Sequence, residues 1–308
     1  METFIINWLS SVPPYATPLL LGCIGSIVAE RAGVLNLGVE GLMAVGALAG
    51  VVVSLHTGSP AVAILASIAG GSALALLFGL ATVVFRTDQV LTGLIVVGVG
   101  AGLTGLLGRS YTQVSVAGFD RLDLGLLSKV PVVGPILLNQ DILVYITIVL
   151  VILVRWFLFK TVIGLRLRAV GEDTAAADTA GIDIQVYRLC AVAVSGGFGG
   201  LAGGYLSLAE SHIWIEGMVA GRGWIAIALV IFAGWQPMRA IFGAVLFGGI
   251  EAIIPRIQAT GADVPIFLLM MLPYVVTLAV LVLRAMSKGA KAGAPGNLGM
   301  VYLRQDRR

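Results

Sequence analysis

Long runs of apolar residues dominate the sequence and leave few folds open to it. A helix that crosses the hydrocarbon core of a bilayer needs about 20 mainly apolar residues, because its backbone polar groups must be satisfied within the segment. Nine runs approach or reach this length: Pro14–Val28, Leu37–Leu55, Pro60–Phe85, Val90–Leu107, Asp141–Phe159, Tyr187–Ala209, Gly223–Trp235, Met238–Ile254 and Val264–Leu283. The seventh is short enough to be a half-helix or re-entrant segment. The sequence therefore predicts an all-α polytopic membrane protein with eight to ten transmembrane helices.

Charged residues are too few for a separate soluble domain. They make up 11% of the 308 residues, whereas about a quarter of a soluble domain is charged. We expect one transmembrane domain over residues 1–284 and a flexible cytoplasmic tail over residues 285–308, which is rich in Gly, Ala, Pro and Lys. Glycines at four-residue spacing, such as Gly196, Gly200 and Gly204, predict helices that pack closely in lipid.

One polar stretch, Gly164–Ile182, lies between two long apolar runs. Asp173 or Thr174 is predicted to cap a short helix, and Gly181 stands where a left-handed residue would end it. The helix would present a flat alanine surface to the groove of another protein. Its rim would carry the charged residues Arg166, Arg168, Glu172 and Asp178. A plain solvated loop is the alternative interpretation.

The distribution of basic residues predicts the orientation of the chain. If the loop over residues 160–186 is cytoplasmic, the N-terminus lies outside and the C-terminus inside. Thirteen of the 19 Lys and Arg residues then lie on the inner side and five on the outer side, as the positive-inside rule requires. Four spans precede the span that leads into this loop, and four of opposite topology follow the loop. This arrangement is typical of an inverted repeat.

Several polar residues lie at the ends of the apolar runs. Asn36 and Glu40 are four residues apart and would share one face of a helix, and Glu40 should face protein or water because a carboxylate facing lipid is costly. Glu40 would either line a translocation path or its gate, or form an ion pair with Arg31 or Arg86.

A second polar group, Asp88, Gln89 and Thr92, stands at the start of the fourth span. It would face a polar solute, unless Asp88 simply caps the helix. The short seventh span, bounded by Gly221–Trp224 and Gln236–Pro237, is a further candidate for the path, because a broken helix in a membrane must be covered by protein or line a cavity.

Motifs for catalysis and metal binding are missing from the sequence. A phosphate-binding loop requires Gly-Lys-Ser/Thr, but the only Lys followed by Ser or Thr is Lys160, and Phe159 precedes it. Neither of the two histidines has ligand-type neighbours at metal spacing. We therefore expect no metal site, no catalytic residues and no ATPase activity in this chain.

Four motifs together resemble a known family. They are ERAGVLNLGVEGLM at residues 30–43, TDQVLTG at 87–93, LRAVGE at 167–172 with AGI at 180–182, and GRGWIA at 221–226. They are similar to the membrane permeases of bacterial ABC importers, in the branch for branched-chain amino acids, ribose, simple sugars and nucleosides. The resemblance covers Pro14 to about Arg284. The first motif is most similar to nucleoside (guanosine-type) and simple-sugar permeases.

The resemblance implies a subunit of a multi-subunit importer in the bacterial inner membrane. Its partners would be a second permease subunit, identical or homologous, cytoplasmic ATPase subunits that hold the ATP and Mg²⁺, and an extracytoplasmic solute-binding protein, with no nucleic acid. The polar stretch would be the ATPase-coupling loop, with Arg168, Gly171, Glu172, Ala176 and Gly181 at its motif positions. The loop does not keep the glycine spacing of the better-known Glu-Ala-Ala loop, so the residue that contacts the ATPase is left open.

The transported solute would be small and polar, most simply a nucleoside, with a simple sugar as the alternative. Asn36, Gln89 and Thr92 are the expected hydroxyl and amide partners in its path. Two hypotheses of other classes stay open on the residues alone. A secondary transporter would use Glu40 or Asp88 as its ion site, and a scaffold or enzyme subunit would transport nothing.

Overall fold

The computed structural model describes residues 2–122, 134–259, 265–286 and 293–302. These residues form eleven α-helices: α1 Glu2–Arg31, α2 Val39–Thr57, α3 Pro60–Gly79, α4 Gln89–Leu107, α5 Ile142–Lys160, α6 Val162–Glu172, α7 Thr174–Thr179, α8 Ile184–Tyr205, α9 Arg222–Ala233, α10 Pro237–Ala259 and α11 Ile266–Met286. Short π-helical turns extend α3 to Val84 and α8 to Glu210. The described chain contains only isolated β-bridges and no strand. The all-α prediction is therefore confirmed.

Each of the nine apolar runs forms a helix. Seven of the described helices, α1–α5, α8 and α10 with their short extensions, are long and apolar enough to cross a membrane. The 12-residue α9 is shorter, as the sequence predicted, and α11 is an apolar helix of 21 residues. The chain is a multi-pass membrane protein, while its orientation and the inverted repeat stay predictions.

Helices α1 and α8 lie at the centre of the bundle. Helix α1 packs against α8, α9 and α10, and α8 packs against α1, α2 and α3. The contact between α8 and α3 is close enough to exclude side chains: a Cβ at Gly196 or Gly200 would overlap backbone or side-chain atoms of α3. Such backbone proximity is how helices gain dispersion energy in lipid, where the hydrophobic effect is absent. The predicted glycine packing is confirmed for these two residues.

Helices α6 and α7 follow α5 in the chain, and the end of α6 adjoins the turn between α1 and α2. We call this the inner end of the bundle, in keeping with the predicted orientation. Here Arg31 donates to the carbonyl of Trp235, with Nη2 at 3.1 Å, and Trp235 Nε1 donates to Glu30 Oε2 at 2.6 Å. The end of α9 is thereby tied to the end of α1.

Candidate functional site

The starts of helices α2 and α9 meet at the side chain of Glu40. Helix α2 starts one residue before it, and α9 starts at Arg222. The backbone N–H of Gly221 donates to Glu40 Oε1 at 2.8 Å, and the N–H of Gly223 donates to Oε2 at 2.8 Å. The first N–H groups of a helix lack partners within the helix and carry partial positive charge. The carboxyl group of Glu40 satisfies two of them at the start of α9.

Glycine is required on the α9 side of this junction for two physical reasons. Gly221 has φ of +85°, a left-handed conformation that side chains disfavour. A Cβ on Gly223 would lie 2.5 Å from the backbone nitrogen of Glu40, closer than atoms can pack. The junction lies near the middle of α4, because a Cβ on Gly100 would stand 2.7 Å from Gly41 Cα.

Arg222 holds the start of α9 from its other side. Its Nη2 lies 3.1 Å from Glu210 Oε1, and its Nε lies 2.9 Å from Glu251 Oε2. Arginine suits this role because its planar fork of donors serves two acceptors at once. The start of the short helix α9, predicted from the sequence, is thus held by the carboxyl group of Glu40 on one side. On the other side it is held by the ion pairs of Arg222 with Glu210 and Glu251.

A cavity of about 190 Å³ adjoins this junction. Its polar lining side chains are Glu40, Thr104 and Glu216, and Ala101 and Trp214 are among the apolar ones. Small-molecule sites are usually concave and largely apolar, with a few polar groups that set orientation. Two carboxyl groups and a hydroxyl can accept hydrogen bonds from the hydroxyl or N–H groups of a polar solute.

The structure separates the five residues predicted to line the path. Only Glu40 lines the cavity. Gln89 is 3% exposed, and its Oε1 accepts a hydrogen bond from the N–H of Leu35 at 2.7 Å. Asn36 is 2% exposed, and its Oδ1 accepts from Gly38 N at 2.7 Å. Gln89 therefore ties the segment before α2 to the start of α4, and Asn36 holds the local turn within that segment.

Two details of the sequence interpretation are corrected. Asn36 precedes the first residue of α2, Val39, so it does not share a helical face with Glu40. Glu40 is bound by the start of α9 and not by Arg31 or Arg86. Asp88 caps α4 by accepting from Leu91 N at 2.8 Å, and Thr92 donates to the carbonyl of Asp88 at 2.6 Å, which is the capping alternative.

Thr104 and Glu216 are cavity residues that the sequence did not indicate. Thr104 is one hydroxyl within an apolar span, and Glu216 follows Trp214 in a segment that resembles an ordinary outer loop. The segment pairs with the residues that follow α4: Gln113 N donates to the carbonyl of Trp214 at 3.0 Å. Such long-range pairing leaves no local pattern in the chain.

The polar stretch forms α6 and α7 at the inner end. Asp173 caps α7 by accepting from Ala176 N at 3.0 Å, and Gly181 has φ of +79°, so both predicted ends of this helix are confirmed. Ala176 and Gly181 are exposed, as are Ala175 and Ala180. The outward face of α7 is consequently flat and made of small residues.

The residues next to α7 join it to the bundle. A Cβ on Gly171 would overlap the carbonyl of Arg31 and lie 2.9 Å from Gly33 N, so the end of α6 touches the turn between α1 and α2 directly. Glu172 Oε1 lies 3.7 Å from Arg31 Nη1. Arg168 faces α5 instead: its Nε donates to the carbonyl of Leu158 at 2.9 Å, and its guanidinium lies 4.9 Å from the centre of the Phe159 ring.

A family model described as the permease component of branched-chain amino acid transport systems matches residues 6–283. The chain belongs to this family. The match spans all nine apolar helices up to the last turn of α11, so the junction at Glu40 and the helices α6 and α7 are parts of a permease.

Curated relatives match this permease over most of its length. It is 33% identical to the guanosine ABC transporter permease protein NupQ of Bacillus subtilis, over 98% of this chain and 99% of that one. It is 36% identical to the nucleoside ABC transporter permease protein NupC of Lactococcus lactis, over 94% of each. It is 41% identical to TsgC13 of Haloferax volcanii, provisionally named as a glucose ABC transporter permease, over 83% of this chain and 79% of that one.

A solved structure shares the fold. It is an inward-facing conformation of a transporter provisionally assigned to the metal-chelate type of ABC transporter, with a TM-score of 0.52 and 17% identity, over 91% of this permease and 85% of that chain. At this identity the likeness concerns the path of the helices alone.

Proposed function

We propose that this permease is the membrane subunit of an ATP-driven importer of nucleosides in the bacterial inner membrane. The observation that carries the proposal is end-to-end similarity to permeases named for guanosine and nucleoside transport. A simple sugar is the second candidate, because TsgC13 is named for glucose. The subunit itself catalyses nothing: ATP and Mg²⁺ are held by separate ATPase subunits, and an extracytoplasmic binding protein delivers the solute.

The solute path in this proposal passes the cavity beside Glu40. The ribose hydroxyls and base N–H groups of a nucleoside are donors that carboxyl groups accept, and Glu216, Thr104 and Glu40 supply the acceptors there. The cavity of about 190 Å³ is smaller than typical sites of about 300–1,000 Å³. The proposal therefore places the solute between this surface and the second permease subunit.

The exposed face of α4 supports a second subunit at this place. A Cβ at Gly98 or Gly102 would meet nothing within 4 Å, although small residues in membrane helices commonly mark close helix contacts. Val97 and Ala101 of the same helix line the cavity. In the proposed assembly, the second subunit packs along α4 and completes the path.

The proposed coupling to ATP runs through α7. The flat face of α7 fits the groove of an ATPase subunit, and Gly171 and Glu172 pass its displacement to Arg31 and the turn that leads into α2. Because α2 begins beside Glu40, movement at α7 reaches the path. The spans then alternate between outward and inward access as ATP binding shifts their equilibrium.

Uptake into vesicles tests the proposal and separates it from ion-coupled transport. The permease, its ATPase subunits and its binding protein are reconstituted together, and entry of labelled guanosine and labelled glucose is measured with ATP on the ATPase side. We expect guanosine uptake that stops without ATP. Uptake that continues without the ATPase subunits and collapses when the ion gradient is dissipated would identify a secondary transporter instead.

A further inference from the structure

Residues 293–302 cross the inner end of the bundle and follow the junction of α6 and α7. The backbone N–H of Asn297 donates to the carbonyl of Gly171 at 2.9 Å, and Asn297 Nδ2 donates to Thr174 Oγ1 at 3.2 Å. The N–H of Gly296 donates to Glu172 Oε2 at 3.2 Å. The composition of this part of the chain predicts a flexible tail, whereas the structure attaches it to the last two residues of α6 and the first residue of α7. We call residues 293–302 the strap.

The strap also reaches the two segments that converge on Glu40, at their inner ends. The N–H of Gly299 donates to the carbonyl of Gly33 at 3.2 Å, in the turn that leads into α2. At its other end, a Cβ on Gly293 would stand 3.1 Å from the carbonyl of Gly234, the residue that follows α9. The opposite ends of these two segments, at the starts of α2 and α9, meet at Glu40. The strap therefore connects α7 with the inner end of the proposed path.

The outward face of the strap is apolar and lies next to α7. Met300 is 58% exposed and Val301 is 42% exposed, and Tyr302 OH donates to Asp178 Oδ2 on α7 at 2.9 Å. A cavity of about 460 Å³ adjoins both elements: Val301 and Tyr302 of the strap and Asp178 of α7 line it, together with Arg86 after the α3 extension and Asp183 before α8. Exposed apolar side chains that form a contiguous surface with a neighbouring element can be buried by another protein, and Met300 and Val301 are continuous here with the exposed face of α7.

We propose that the strap and α7 together form the docking surface for the ATPase subunit, and that the strap is a second mechanical link from that subunit to the path. This proposal rests on the proposed function, which requires an ATPase partner at the inner end. The surface is continuous with the exposed face of α7 through the bond between Tyr302 and Asp178. A partner seated on it covers Met300 and Val301, moves α7 and the strap together, and displaces the Gly33 turn and the end of α9.

A charge placed on the exposed face of the strap tests the docking. In Met300→Glu the backbone bonds of the strap remain, so the permease folds, but the new carboxylate must be buried against the ATPase. We expect ATPase binding to purified permease to weaken about tenfold or more, which corresponds to about 1.4 kcal/mol, and uptake to fall with it. The control is Met286→Glu, a methionine 78% exposed at the end of α11, which should bind the ATPase as the unchanged chain does. Equal binding by Met300→Glu and the unchanged chain would overturn the docking surface.

The mechanical link is tested by Asn297→Ala, which removes the bond to Thr174 and leaves Met300 and Val301 in place. We expect ATPase binding to be retained and the amount of solute moved per ATP hydrolysed to fall at least twofold. An unchanged ratio would overturn the link. Failure of the proposed function is distinguishable from either outcome, because in that case the unchanged chain itself would show no ATP-dependent uptake.

Discussion

The two hydrogen bonds that Glu40 accepts from the start of α9 allow a quantitative prediction for Glu40→Ala. Each bond is 2.8 Å long, and a hydrogen bond to a charged group contributes about 1.5–3 kcal/mol. The alanine variant loses both bonds and the favourable position of a carboxylate at a helix N-terminus, which is worth up to about 1 kcal/mol. Water in the adjoining cavity can bind the freed N–H groups and recover part of this loss. We expect a net destabilisation of about 2–4 kcal/mol.

Thermal unfolding of the detergent-purified permease, followed by tryptophan fluorescence, measures this loss. A destabilisation of that size lowers the Tm by roughly 5 °C for a chain of this length. Glu40→Gln keeps one acceptor oxygen and should lose about half as much. The matched control is Glu216→Gln, which changes a second carboxyl group of the same cavity without touching α9 and should leave the Tm unchanged. A Tm for Glu40→Ala within about 1 °C of that of the unchanged chain would refute the reasoning. An equal fall in the Tm of the control would refute it as well.

Three further predictions concern other parts of the molecule. Glu172→Ala should abolish uptake and its coupling to ATP hydrolysis while the protein still inserts into the membrane; normal transport by this variant would contradict the coupling role. Gly200→Ala should cost about 1–3 kcal/mol by overpacking α8 against α3, seen as a lower Tm, whereas Gly102→Ala should not destabilise the isolated subunit because its Cβ meets nothing. Arg222→Ala leaves Glu210 and Glu251 without their partner and should lower the free energy of unfolding by about 3–5 kcal/mol, with Arg222→Lys intermediate. Equal unfolding curves for the two variants and the unchanged chain would show that this ion-pair network does not hold α9.

Some features of the site were readable in the sequence because they depend on local chemistry. Asp173 and Asp88 cap their helices through N–H groups three residues away, and Gly181 ends α7 with a backbone angle that glycine adopts freely. The short length of α9 was also visible, since an apolar run that is too short to span a bilayer is a property of the run itself. The family resemblance followed from four motifs of contiguous residues.

Other features required the fold because their partners are distant in the chain. Nothing near Glu40 indicates that it binds residues 221 and 223, and nothing in the composition of residues 293–302 indicates that they bind Gly171 and Gly33. Asn36 and Gln89 were correctly singled out as polar groups in an apolar frame, but their hydrogen bonds to Gly38 and Leu35 make them supports of a buried segment. A polar residue beside a membrane span signals that it needs a partner, and only the packing of the helices decides which one.

The amino-acid sequence by itself determined that the chain is a bundle of membrane helices, where most of those helices begin and end, and to which family it belongs. These properties follow from hydrophobicity, helix capping and short motifs, which act over one or a few turns. The tertiary structure alone decided that two helix starts meet at one carboxyl group and that residues 293–302 connect the proposed coupling helix to the inner ends of α9 and of the segment before α2. Contacts between residues so far apart in the chain depend on how the helices pack, and helix packing is a property of the whole bundle.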